Sequence, residues 1–225
     1  MPILKKYNKD FFKTWTGDMA YILGFMYADG NIVESKRGNH YVAIYTADRS
    51  LLISMKKSMK SEHKISVRRS STGYGYRIQV GSKEWFTDLA KIGLFPNKTL
   101  RMVLPRVPSK FLGDFVRGYF DGDGNVWSGF IHRNRKTPTR ALLVFFTSGS
   151  HEYLLALRTL LRSEGMQGGS LYVAKSGNFS RLSFSTRDAL KLHEIMYNAP
   201  HKLYLKRKKS IFEQFMKSCG RSSTG

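Results

Sequence analysis

Apolar residues recur along this chain in two spacings, one helical and one alternating, and the same order of spacings is run through twice. A basic, aromatic lead-in (Lys5, Lys6, Lys9 and Lys13 with Phe11, Phe12 and Trp15) is expected to anchor through its rings on the first half. Gly17 to Ala28 is spaced as a helix; Asn31 to Ser35, a turn at Lys36 to Asn39, and His40 to Thr46 are spaced as a hairpin. Asp48 to Met59 returns to helical spacing, with Leu51, Leu52, Met55 and Met59 on one side. A second hairpin spans His63 to Arg69 and Tyr74 to Val80. Its alternation puts Ile65, Val67, Ile78 and Val80 on one face and Lys64, Ser66, Arg68, Arg77 and Gln79 on the other. The first is a core face and the second is basic. Ser82 caps a helix that reaches about Ile92.

The second half repeats the order: helix Ser109 to Gly122, hairpin Asn125 to Thr147 with a long tip at Arg133 to Lys136, helix His151 to Arg162, hairpin Ser170 to Ser185, helix Thr186 to Tyr197. From Arg77 to Lys98 a gapless copy lies 104 positions on, with Arg181, Thr186, Pro200 and Lys202 matching Arg77, Ser82, Pro96 and Lys98. The motif glycines Gly30 and Gly124 lie 94 apart, and the ten extra residues are assigned to the longer tip. The reading is an internal duplication split in the linker Thr99 to Pro108, with residues 1–104 and 105–225 as the two units. A final helix, Leu203 to Met216, packs Leu205, Ile211, Phe212 and Phe215, and the tail from Gly220 is expected to be disordered.

Each repeat opens on the same stretch, Tyr21 to Gly30 and Phe115 to Gly124, a helix whose last turn delivers an aspartate followed by glycine. Gly30 and Gly124 suit the left-handed position after a helix. Gly24 with Ala28, and Gly118 with Gly122, are four apart and share one face without bulk. Two such faces allow close helix contact, which would bring Asp29 and Asp123 together at one end. Two neighbouring carboxylates at helix C-termini repel each other and the helix dipoles, and a divalent cation would relieve both penalties. An aspartate and glycine at one helix end is ordinarily a capped terminus; the duplication favours a site. Asp121 to Asn125 begins like a calcium loop, but Val126 and His132 stand at its sixth and twelfth positions, where glycine and glutamate are needed.

Composition sharpens this. The 225 residues carry 38 Lys and Arg against 16 Asp and Glu, a net charge of +22, which points to a polyanionic partner. The longest apolar run, Ala141 to Phe146, is too short to span a bilayer, no signal peptide is read, and no membrane partner is expected. A lone Cys219 excludes an internal disulfide and a cysteine zinc site. The expected setting is an intracellular, reducing compartment that holds nucleic acid.

Ile22 to Gly30 and Val116 to Gly124 resemble the signature nonapeptide of the LAGLIDADG homing endonucleases, and the order of elements resembles the monomeric, two-repeat members. The resemblance implies an α+β fold of two pseudo-symmetric αββαββα repeats, each with a four-stranded antiparallel sheet, joined through the motif helices into a saddle over the DNA major groove. It implies cleavage of both strands of a long asymmetric duplex with short 3′ extensions. It places divalent metal at Asp29 and Asp123 with the adjoining Ala28 and Gly122: Mg2+, with Mn2+ as a substitute and Ca2+ supporting binding without cleavage. No small-molecule cofactor is implied. An active-site lysine falls on Lys98 in the first repeat and on either Lys202 or Lys206 in the second. The pattern departs at Tyr27, where the second repeat keeps Asp121, and at the strand-end position read as Ala47 and Ser148, which implies unequal cutting of the two strands. An intron RNA maturase or a non-catalytic DNA-binding protein on the same scaffold is the alternative.

The DNA-contact set follows from the basic face and the resemblance. In the first repeat it is Ser35, Arg37, His40, Lys64, Ser66, Arg68, Arg69, Arg77 and Gln79; in the second, Trp127, Ser148, Lys175, Arg181 and Ser183. Arg68, Arg77, Arg181 and Gln79 suit base edges, since Arg pairs with guanine and Gln with adenine. Arg133, Arg135, Lys136 and Arg140 suit phosphates. For Trp127, packing in the core is the other reading.

Overall fold

The computed structural model describes residues 5–71 and 73–220, so the tail after Gly220 lies outside the described residues. The first repeat runs α1 (Gly17–Asp29), β1 (Gly30–Glu34), β2 (His40–Thr46), α2 (Arg49–Ser58), β3 (Ile65–Ser70), β4 (Gly73–Gly81) and α3 (Lys83–Ile92). The second runs α4 (Leu112–Asp123), β5 (Gly124–Ile131), β6 (Thr139–Ser148), α5 (His151–Ser163), β7 (Ser170–Val173), β8 (Ser180–Phe184) and α6 (Thr186–Tyr197), followed by α7 (Lys206–Gly220). Side-chain caps set the helix starts: Thr16, Asp48, Ser82 and Ser150 accept from the backbone N–H of Met19, Leu51, Trp85 and Tyr153. Each such cap is worth about 1 kcal/mol. The last helix begins later than its apolar content predicts. Leu203 and Leu205, two apart, are both buried, an alternation that helical backbone does not provide.

The strands form two antiparallel sheets with orders β1-β2-β4-β3 and β5-β6-β8-β7. Matching registers show how the repeats align: Gly30 pairs with Ile44 and Gly124 with Phe146, while Ile44 pairs with Ile78 and Phe146 with Leu182. Of the ten extra residues, eight therefore lie in the β5–β6 hairpin and two between β6 and β8. The same register makes Ser148 the counterpart of Thr46 and Gly149 that of Ala47, one position away from the expected match. Ile32, Val42, Ile44, Ile78 and Val80 point to the helices in one sheet, and Val126, Leu142, Val144, Phe146, Leu182 and Phe184 in the other. One apolar core runs through both halves. The lead-in is tied to it: Phe12 is buried, its ring 5.3 Å edge-on to Trp85, whose indole N–H donates to the Asn8 carbonyl at 2.8 Å.

Small residues decide how the halves meet. A Cβ placed on Gly24 would lie 2.0 Å from the Phe115 carbonyl oxygen, and one on Gly118 would lie 2.0 Å from that of Tyr21. A Cβ on Gly122 would lie 2.3 Å from that of Ala28. The expected bare faces are therefore the contact, and α1 and α4 touch through their backbones. Gly30 and Gly124, in contrast, are not left-handed: φ is −93° and −85°, with extended ψ. Glycine is needed there for room, since a Cβ would sit 2.5 Å from Met26 Cα in one copy and 2.3 Å from the Phe120 ring in the other.

Candidate active site and nucleic-acid interface

Because α1 and α4 are in backbone contact and end together, their last residues share one small volume. Asp29 is open to solvent on one side and Asp123 is half-buried. Burial and then the Asp29 charge push Asp123 up to about 6, with Lys98 and Lys208 pulling the other way. Burial also raises Asp29, again opposed by Lys208 and Lys98. Each carboxylate thus feels both lysines. Lys98 donates to the Ala28 carbonyl at 3.3 Å, at the end of α1. Lys208 donates to the carbonyls of Phe120 (2.6 Å), Asp121 (2.8 Å) and Gly124 (2.6 Å), at the end of α4. A cation at a helix C-terminus is favourable, and these are the two C-termini that carry the aspartates. Burial lowers both ammonium groups, Lys208 to about 8.

Lys208 is not one of the two active-site lysines, Lys202 and Lys206, that the sequence offers for the second repeat. Lys202 and Lys206 are exposed and line a separate groove with Tyr204 and Arg207 against Asp48, Ser50 and Ser54. Gapless counting misplaces the lysine because the irregular stretch before α7 has no match in the first repeat. The retained Asp121 holds that stretch: its Oδ2 accepts from the Leu205 N–H at 2.8 Å and from the Tyr21 hydroxyl at 2.7 Å across the helix joint. Its counterpart Tyr27 has a buried hydroxyl with no hydrogen-bond partner among the described residues.

The donor set is oxygen only: two carboxylates, with the Ala28 and Gly122 carbonyls beside them in sequence. Among the described residues, no group of three or more His, Cys, Asp or Glu side chains is placed to hold a metal ion. Two mutually repelling carboxylates with few other protein ligands fit a hard cation that keeps water and phosphate in its shell. Zinc sites in proteins are built mainly on His nitrogen and Cys sulfur, which this donor set lacks.

A concavity of about 450 Å3 runs from Asp29 along the uncovered face of the first sheet, past Tyr45, Ala47, Ser66, Arg68 and Arg77. The registers put Ser66, Arg68, Arg77 and Gln79 on that face, as alternation predicts. The Arg77 guanidinium lies 5.3 Å over the Tyr45 ring, and that of Arg181 lies 5.7 Å over Phe145. Trp127 and Ser183 share the uncovered face of the second sheet, and Trp127 is 39% exposed, so it is not a core residue. Arg37, Lys175, Arg133 and Arg135 are exposed in the hairpin turns, Lys64 is exposed just before β3, and the Ser35 hydroxyl accepts from the Asn39 N–H.

Four of the expected DNA contacts lie elsewhere. His40 is on the helix side, its ring 4.5 Å from Phe86. Arg69 pairs with Tyr74 on the same face as Val67. Arg140 faces the helices, its guanidinium 5.7 Å from the Phe215 ring. Ser148 is buried, its hydroxyl accepting from the Ser150 N–H. Strand parity decides each of these, and their polarity alone misleads.

No protein-family profile matches the chain. An uncharacterized protein of Methanocaldococcus jannaschii is 27% identical over 116 residues, which cover 51% of this chain and 41% of that protein. The chain therefore spans about two fifths of the length of that curated relative. Among solved structures, the LAGLIDADG meganuclease I-AabMI bound to uncleaved DNA is 14% identical with a TM-score of 0.62, covering 91% of each chain. The chain has the LAGLIDADG homing endonuclease fold. The I-LtrWI LAGLIDADG homing endonuclease bound to target DNA shares it over 96% of this chain and 92% of its own, at 14% identity and a TM-score of 0.60. The homing endonuclease I-DmoI shares it over 82% of this chain and 97% of its own, at 15% identity and a TM-score of 0.56. At these identities the LAGLIDADG likeness is one of fold, with the two motif helices as its joint.

Proposed function

We propose that this chain is a site-specific DNA endonuclease that hydrolyses both strands of a long, asymmetric duplex as a monomer, uses Mg2+, and leaves short 3′ extensions. The observation that carries the reading is the meeting of Asp29 and Asp123 at the ends of the two touching helices, where burial first and the Asp29 charge second raise the Asp123 carboxyl. Two open sheet faces, each with an arginine stacked on an aromatic ring, and a net charge of +22 support a duplex as the substrate. The similar structures of I-AabMI, I-LtrWI and I-SmaMI are bound to DNA, that of I-SmaMI in the presence of calcium ions.

Asp29 and Asp123, with the neighbouring Ala28 and Gly122 carbonyls, would hold the cation. When bound, it supplies Lewis acidity at the scissile phosphates and lowers the pKa of the attacking water. The lysines divide the remaining work. An ammonium has three N–H donors. Lys98 spends one on the Ala28 carbonyl and keeps two for phosphate oxygens; Lys208 commits all three to carbonyls and acts by fixing the end of α4. Arg68, Arg77 and Arg181 orient the duplex from the sheet faces. The test is incubation of purified protein with a randomised duplex library in Mg2+, Ca2+ or EDTA. Cutting at one long site in Mg2+ alone is expected. Selective binding with no cutting under any condition would overturn the reading and favour a binding protein.

A further inference from the structure

The two sheet faces that would meet DNA are built on one register but not from one chemistry. Ser66 pairs with Arg77 and Tyr172 with Arg181, so Tyr172 holds the position of Ser66. Ala43 pairs with Gln79 and Phe145 with Ser183, so Phe145 replaces Ala43 and the short Ser183 replaces Gln79. Val33 pairs with Tyr41 and Trp127 with Leu143. Across these positions the second repeat gains ring surface at Trp127, Phe145 and Tyr172, although Trp127 and Tyr172 each keep one polar hydrogen, and it loses the Gln79 amide and the Tyr41 hydroxyl, replaced by Ser183 and Leu143. Arg77 and Arg181 are kept as a matching pair, as are Asn31 and Asn125, which pair with Ala43 and Phe145.

Trp127 and Tyr172 are 39% and 55% exposed, too open to be explained by the core. The Trp127 ring is laid along the sheet: a Cβ on Gly129 would lie 2.5 Å from its Cζ2. Glycine at 129 thus keeps the ring flat and presents its outer face to the groove. The thymine C5-methyl is the apolar group that the major groove displays, and apolar side chains read it. The cationic chain supplies the attraction for the backbone of the duplex, so an apolar patch can be used for reading rather than for holding.

We infer that the second repeat reads an A·T-rich half-site through thymine methyl groups, with Trp127, Leu143, Phe145 and Tyr172 as the contact surface, whereas the first repeat reads its half-site through hydrogen bonds to purine edges. The inference rests on the endonuclease reading. Its test is selection of bound duplexes from a randomised library in Ca2+, followed by replacement of thymidine by deoxyuridine in one half of the selected site at a time. Trp127→Ala and Gln79→Ala, both on open strand faces, assign each half to its repeat. Each methyl removed under the second repeat should weaken binding about fourfold, and under the first repeat by less than about twofold. Trp127→Ala should erase the penalty at the position it covers. Equal penalties in both halves, or a second half-site rich in G·C, overturn the inference and leave the endonuclease reading standing. Failure to select any duplex overturns that reading itself.

Discussion

At the centre of the α1–α4 joint the two repeats match: Gly24 lies on the Phe115 carbonyl as Gly118 lies on that of Tyr21, and the positions are exchanged by the pseudo-two-fold. A few ångströms away they differ. Lys98 reaches the end of α1 with one hydrogen bond, while Lys208 reaches the end of α4 with three and Asp121 ties the same end to Leu205. On the sheet faces most positions differ, with Arg77 and Arg181, and Asn31 and Asn125, as matching pairs. Symmetry is kept where backbone meets backbone, because no side chain fits there, and it is lost where the chain would meet an asymmetric partner.

The joint gives the largest expected effect. Gly24→Val and Gly118→Val each drive side-chain atoms into a carbonyl oxygen of the facing helix. Each should lower unfolding stability by more than about 3 kcal/mol, and the two losses should agree within about 1 kcal/mol in urea titrations. Unequal losses would break the symmetry argued for the joint. The lysines should be unequal. Lys208→Met strands three carbonyls at the end of α4 and should cost about 2–4 kcal/mol, whereas Lys98→Met strands one and should cost about 1 kcal/mol. Equal thermal shifts would show that the second site is not held more firmly than the first.

The aspartates give the smallest stability effect, and its sign depends on pH. Asp123 holds its proton to about 6 when folded, against an ordinary 3.8. Folding is therefore favoured by protonation, and that contribution is lost as the pH rises through 6. Asp123→Asn should leave the metal-free protein unchanged below about pH 4 and stabilise it by about 1–2 kcal/mol near pH 8, a shift reduced from the full linkage value because the group is partly solvated. A stabilisation independent of pH would contradict the shared carboxylate environment.

Much of this was legible in the chain. The alternation of Ile65 to Arg68 and Arg77 to Val80 gave the two faces of β3 and β4, although Val67, expected in the core, is exposed towards the hairpin end, and the Ser82 cap gave the start of α3. The four-residue spacing of Gly24 and Ala28 gave the joint, and the paired aspartates followed from it. What was missed depends on the third dimension. Lys208 reaches its carbonyls because an irregular stretch over Leu203 to Leu205, held by Asp121, precedes α7, which residue counting against Lys98 does not reveal. Arg140 and His40 lie near strand ends, where polar side chains on the helix side still reach solvent, so composition suggested the wrong face. Their parity with Leu142 and Val42 was the available signal. Gly30 and Gly124 are glycines for want of space above Met26 and Phe120, a reason that spacing alone does not distinguish from a left-handed turn.

The most direct test of the account is single-turnover cleavage and equilibrium DNA binding measured side by side for Asp29→Asn and Asp123→Asn on the selected site in Mg2+. The account predicts loss of double-strand cleavage by about a thousandfold in each variant, with affinity in Ca2+-free buffer within about threefold of the parent. Cleavage retained by both variants would contradict it, and would move the chemistry away from the joint of the two motif helices.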